Sequence, residues 1–268
     1  MADNELGLFL RSRRETISPA GRRRTPGLPR AEVAALAGLT VDRLTRLEQG
    51  ADRCPPAPVL AALAGALRLS ASERVHLYRL SLGSRPPPGP AREVRDRVRA
   101  ILVRLEPSAA VLVSPLGDLL AWTSGFAWLA ASSGLLDGDP PNLNRYVFTD
   151  RRARTTFPDW DREADTRVAD LRQGRFDVDR HRAALADELT ITAGEPFERR
   201  LRSLPERPRG GGVQRWNHPR AGELLMAYEI LILPEDDGQR LMIHLPADAA
   251  TEAVLAAQRP KTLRLVAG

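Results

Sequence analysis

Thr40, Arg43, Thr45 and Arg46 fall within one seven-residue stretch, and their side chains suit recognition of nucleic-acid base edges. An arginine offers two parallel N–H donors that match guanine O6 and N7, worth about 1–3 kcal/mol of discrimination. Arg43 and Arg46 are the leading candidates for base contacts, with Thr40 and Thr45 nearer phosphates or thymine methyls. Arg30 begins the preceding helix, where peptide N–H groups also favour a phosphate. Arg22, Arg23 and Arg24 lie in a loop beside it and could track the backbone. Asp42 is acidic on the same face; it either accepts from a cytosine amine or caps the helix, and capping is the preferred reading. Glu48 is expected to hold the following loop by accepting backbone N–H bonds. The competing reading of the arginines is a solvated helix and loop.

These residues need short, rigid helices behind them. Over residues 30–37, Val33, Ala34, Leu36 and Ala37 form an inward face, and Gly38 supplies the positive φ that turns the chain. Thr40 caps a helix over 40–49, with Val41, Leu44 and Leu47 inward and Gly50 ending it. A first helix spans 4–15, capped by Asn4. After Cys54-Pro55-Pro56, Val59, Leu60, Leu63 and Leu67 make one helical stripe, and Ser70 caps a fifth helix to Leu82. Two short helices about a glycine turn, with supporting helices, form a helix-turn-helix, whose usual partner is the DNA major groove.

Charge agrees. Residues 1–83 carry 13 Arg against 8 acids, while the remainder carries 27 basic against 26 acidic residues. A basic block joined to a nearly neutral remainder is the footprint of a nucleic-acid module with a partner domain. Residues 84–90, GSRPPPGP with Gly83, read as a semi-rigid proline linker. The expected domains are therefore 1–83, a linker over 84–90, and 91–268.

The second part opens with a helix over 91–105. Strand-like runs follow at 109–114 and 118–123, joined by Pro115-Leu116-Gly117 as in a hairpin. A long helical region covers about 124–204, and three more strands lie at 212–218, 222–233 and 239–245. That order is PAS-like: an antiparallel sheet with helices over one face and a ligand pocket between them. The fold class is α+β, an N-terminal all-α five-helix domain plus a C-terminal PAS-like domain. Trp122, Phe126, Phe148 and Tyr228 could line the pocket, or be plain core.

Other chemistries find little support. The single Cys54 excludes an internal disulfide and any multi-cysteine zinc site. His218, His244 and Glu229 are the nearest approach to a metal set, without close His–His spacing. Gly210-Gly211-Gly212 precedes a strand and is no phosphate loop. No nucleophile elbow or paired-carboxylate arrangement appears, so an enzyme is not expected. No signal peptide or apolar run of about 20 residues is present, which points to a cytoplasmic protein with no membrane partner.

Residues 6–82 resemble the xenobiotic-response-element (XRE) family of bacterial helix-turn-helix regulators, through Glu32-Val33-Ala34-Ala35-Leu36-Ala37-Gly38-Leu39, Arg46-Leu47-Glu48-Gln49-Gly50 and Pro58-Val59-Leu60. LLAW at 119–122, NLNRYVFTD at 142–150, FPDW at 157–160, His218-Pro219 and GELLMAYEILILP at 222–234 resemble an MmyB-like ligand-binding domain. The resemblance implies a transcription factor that binds double-stranded DNA, with no cofactor unless its C-terminal domain holds a fatty acid, as some relatives do. A homodimer on paired half-sites is expected. Arg145 and Tyr228 match family-motif positions and could anchor a ligand carboxylate. The alternative is a ligand-free C-terminal module for dimerisation or protein recruitment.

Overall fold

The computed structural model describes residues 4–17, 27–52, 54–82, 93–172, 179–203, 210–233 and 238–258. The chain begins with α1 (Glu5–Thr16), α2 (Arg30–Leu36), α3 (Val41–Glu48), α4 (Ala57–Ala66) and α5 (Ala71–Ser81). Then come α6 (Asp96–Leu105), β1 (Ala109–Val113), β2 (Leu119–Trp122), α7 (Ser124–Leu129), α8 (Leu143–Thr149), α9 (Ala153–Thr156) and α10 (Trp160–Arg172). The rest is α11 (Arg180–Ala193), α12 (Glu195–Arg202), β3 (Gly211–His218), β4 (Gly222–Ile232), β5 (Arg240–Pro246) and α13 (Ala249–Gln258). The expected linker at 84–90 lies outside the described residues. Among the described residues no helix is long and apolar enough to cross a membrane.

Two compact units form: Met1–Gly89 with Gly174–Ser203, and Pro90–Gln173 with Leu204–Gly268. In the first, Leu10, Val33, Leu44, Leu47, Leu60, Leu63 and Leu77 make a common core. Local chemistry sets the helix ends. Thr40 Oγ1 accepts the Arg43 N–H at 3.2 Å, and Ser70 and Glu73 form a reciprocal capping box. Gly38 turns the chain at φ 65°, in the left-handed region that glycine occupies without strain. Gly7 lets α1 abut the end of α3, since a Cβ there would sit 2.6 Å from the Leu47 and Glu48 carbonyls.

Three local expectations are corrected. Asn4 makes no side-chain cap; its Nδ2 donates to the Glu48 carbonyl at 2.8 Å. Leu36 and Val41 are 63% and 46% exposed rather than inward. They flank the Gly38 turn at the ends of short helices, where the core is already filled by Val33, Ala34, Leu44 and Leu47.

α11 also belongs to this unit. Ile191 is 1% exposed within the same core, Tyr78 Oη donates to the Ala184 carbonyl at 3.4 Å, and Arg74 Nη1 donates to the Ile191 carbonyl at 3.3 Å. In sequence this helix falls in the long helical stretch of the second part. Periodicity shows that a helix has an apolar face, and it leaves open which core receives that face.

The second unit is a five-stranded antiparallel sheet in the order β2-β1-β5-β4-β3. One face packs Val111, Trp216, Leu224, Met226 and Met242 against Phe126, Leu129, Tyr146, Phe157 and Trp160. The opposite face is covered in part by α6, with Val98 and Leu102 on Ala110, Leu112 and Leu241. Helices therefore lie on both faces and not on one. β1, Ala-Ala-Val-Leu-Val, is apolar on both sides and buried throughout, so it needs cover on each.

Candidate nucleic-acid interface and ligand-domain interior

α3 turns Leu44, Leu47 and Glu48 into the core and leaves Asp42, Arg46 and Gln49 exposed on the opposite stripe. Arg43 and Thr45 lie partly buried on its flanks. Both threonine hydroxyls hold the helix itself: Thr40 caps it, and Thr45 Oγ1 donates to the Val41 carbonyl at 2.8 Å. Thr40 caps α3 as expected, and the capping role preferred for Asp42 is not taken up. Arg22, Arg23 and Arg24 lie outside the described residues.

Behind this stripe sits a buried ion cluster. Glu48 accepts from Arg14 Nε at 2.6 Å and Nη2 at 3.1 Å, and from Arg30 Nε at 2.8 Å. Its carboxylate thus meets two guanidiniums rather than loop N–H groups. Short charge-assisted bonds of this kind are the strong ones. The hydrogen bond that Arg14 donates to Glu48 holds the Arg14 pKa above the usual arginine value. Arg14 Nη1 also donates to the Leu28 carbonyl at 3.2 Å, so one cluster ties α1, α2 and α3 together. Arg30 spends part of its guanidinium here, although its side chain stays 39% exposed toward solvent.

In the sheet unit the five ligand-site candidates do not gather at one place, and only two of them meet. Phe126 and Tyr228 converge on the His244 ring, with centroids 5.7 and 6.3 Å away. Trp122 is exposed at the end of β2. Phe148 packs edge-on to Trp160 at 6.1 Å. Arg145 Nη1 lies 3.9 Å from Asp118 Oδ1, beside the β1–β2 hairpin.

Sequence reasoning missed a polar ladder on the inner face of α10. Arg167 Nε lies 3.0 Å from Glu163 Oε1, out of line for a hydrogen bond, and Arg167 Nη1 lies 3.6 Å from Asp170 Oδ2. Asp170 Oδ1 lies 3.0 Å from Arg240 Nη1 on β5. Glu163 in turn accepts from Gln214 Nε2 at 2.7 Å, and Gln214 Oε1 accepts from Trp216 Nε1 at 2.7 Å. Burial opposes the Arg167 charge, but Glu163 and Asp170 outweigh it and raise its pKa. The available signal was Glu163, Arg167 and Asp170 at i, i+4 and i+7, interleaved with apolar Ala164, Val168 and Leu171.

His244 stands beside this ladder, 3% exposed. Burial, with the Arg167 charge adding to it, pushes its pKa down to about 4, so the ring is neutral at pH 7. Its Nδ1 has no hydrogen-bond partner among the described residues. His218 instead stacks on Trp128 at 4.3 Å, with Nε2 3.0 Å from the Trp128 carbonyl. Among the described residues no three His, Cys, Asp or Glu side chains gather as metal ligands. Between α10 and the β3–β4 edge, Phe157, Arg162, Glu163, Gln214, Arg215 and Tyr228 line a pocket of about 20 Å³. That is room for about one water molecule.

Comparison with known families resolves the two parts. A family model described as a helix-turn-helix domain matches residues 5–77. A second, described as an MmyB-like transcription regulator ligand binding domain, matches residues 94–257. No curated protein matches the chain. The two matches, in this order, describe a DNA-binding transcription regulator with a ligand-binding domain. With the second match spanning most of its length, the chain belongs to the MmyB-like transcription regulator ligand binding domain family, joined to an N-terminal helix-turn-helix.

Proposed function

We propose that this protein is a sequence-specific transcriptional regulator that binds paired DNA half-sites as a homodimer, and that its C-terminal domain senses a small apolar ligand such as a fatty acid. The observation that carries the reading is the position of α11. It lies within the residues matched to the ligand-binding family, yet Ile191 is buried in the core of the DNA-binding unit. A ligand that shifts the stability of this segment shifts the DNA-binding unit with it, and DNA shifts ligand affinity equally. Couplings of this kind are typically about 1–3 kcal/mol, or 5- to 150-fold in affinity. No cofactor and no catalytic step belong to this reading, and its place of action is the cytoplasm, where the DNA is.

Native mass spectrometry of the purified protein, with operator affinity measured with and without palmitate, tests it. Bound lipid, or a palmitate-dependent change in affinity, supports the sensor. An empty protein that palmitate neither stabilises nor shifts on DNA sinks it. A second reading, a ligand-free dimerisation or recruitment module, is favoured by the close packing at the α10–sheet pocket. It predicts that same null result together with a dimer in analytical ultracentrifugation.

A further inference from the structure

The outward stripe of α3 carries an acid. Asp42, Arg46 and Gln49 stand at i, i+4 and i+7, opposite buried Leu44 and Leu47, and all three are exposed. Helix capping does not account for Asp42, because Thr40 fills that role with its Oγ1 on the Arg43 N–H. A carboxylate on this face repels phosphates, so it weakens binding to DNA in general. What it can do in a major groove is narrow: it accepts, and the exposed donors there are the cytosine N4 and adenine N6 amines. Guanine O6 and N7 and thymine O4 are acceptors and repel it. Adenine N6 stands beside the N7 acceptor, which leaves cytosine as the base an acid reads.

We propose that Asp42 is a specificity-determining residue that accepts from the N4 amine of a cytosine in the operator half-site, while Arg46 donates to a guanine nearby. This rests on the DNA-binding reading above. Four residues separate the two side chains by about 6 Å along the helix, and successive base pairs are about 3.4 Å apart. The cytosine and guanine positions are therefore one or two base pairs apart.

The test is selection from a random double-stranded DNA library by the full chain and by Asp42→Ala, Asp42→Asn and Arg46→Ala variants. The wild type is expected to enrich a site with a fixed cytosine. Asp42→Ala relaxes that position by roughly 5- to 150-fold and leaves the other positions unchanged. Asp42→Asn keeps the size of the side chain and adds a donor, so the preference switches to adenine. It keeps the test alive if the alanine variant fails to fold. Arg46→Ala relaxes a guanine one or two positions away. A helix-stabilising role for Asp42 would change affinity for all sites alike and leave the enriched motif intact. An unchanged motif in both Asp42 variants overturns this inference and leaves DNA binding standing. A wild type that enriches no motif overturns both.

Discussion

In the DNA-binding unit two guanidiniums, Arg14 and Arg30, close on the single carboxylate of Glu48 with bonds of 2.6–3.1 Å. In the sheet unit the arrangement is inverted: Arg167 lies between Glu163 and Asp170 at 3.0 and 3.6 Å, and a neutral histidine stands beside it. The first cluster is satisfied and joins three helices, so it fixes α3 and its outward stripe against α1 and α2. The second is looser, with Arg167 Nε, Arg240 Nε and His244 Nδ1 buried and lacking hydrogen bonds among the described residues. Buried polar groups left without bonds cost stability, and such sites are candidates for rearrangement. The first unit thus ties its three N-terminal helices through one bonded cluster, while the second leaves buried polar atoms without hydrogen bonds among the described residues.

Four changes test this contrast. Glu48→Ala is expected to have the largest effect, because it strands buried Arg14 without its carboxylate. Breaking a buried pair from one side costs about 3–5 kcal/mol, so urea unfolding should show a large loss, with DNA binding lost alongside. If the Arg14–Glu48–Arg30 cluster is mere surface charge, the loss stays below about 1 kcal/mol.

Ile191→Ala comes next, at about 2–4 kcal/mol for a fully buried isoleucine. Hydrogen exchange should report that loss in α4 and α5 of the DNA-binding unit. Faster exchange confined to the sheet would instead mean that α11 does not support that unit.

His244 governs a pH window. Its folded pKa is about 4 against the usual 6.5, so between these values the unfolded chain binds more protons. Stability therefore falls as pH drops from 6.5 to about 4, by up to about 3 kcal/mol in total, and His244 contributes no slope above 6.5. In a series of urea titrations across pH 4–7, His244→Phe should flatten this part of the profile. A profile that keeps its full slope would assign the acid sensitivity to other groups.

Thr40→Ala is the mildest, about 1 kcal/mol for a lost helix cap. It should weaken operator affinity through fraying of the first turn of α3, a loss that Thr40→Ser largely restores. Failure of serine to rescue would point to a methyl contact and away from the cap.

Much was legible from local chemistry. Thr40 and Ser70 caps, the Gly38 turn, the stripe Leu44–Leu47 and all five strands follow from residue type and spacing within about one element. Leu36 and Val41 were misplaced where short helices meet a turn. There the helical period assigns a face, but the neighbouring core decides whether the face is used.

The two-part character of the chain, its basic N-terminal block and its local elements were readable from residue order, because those depend on hydrophobic period, turn residues and charge along a few residues. Folding in three dimensions was needed to bring Glu48 to Arg14 across 34 residues, Arg240 to Asp170, and α11 into the DNA-binding unit. These contacts join segments far apart in the chain. A charged residue carries no local mark of its partner, and an apolar helix face fits any complementary core until the chain has folded.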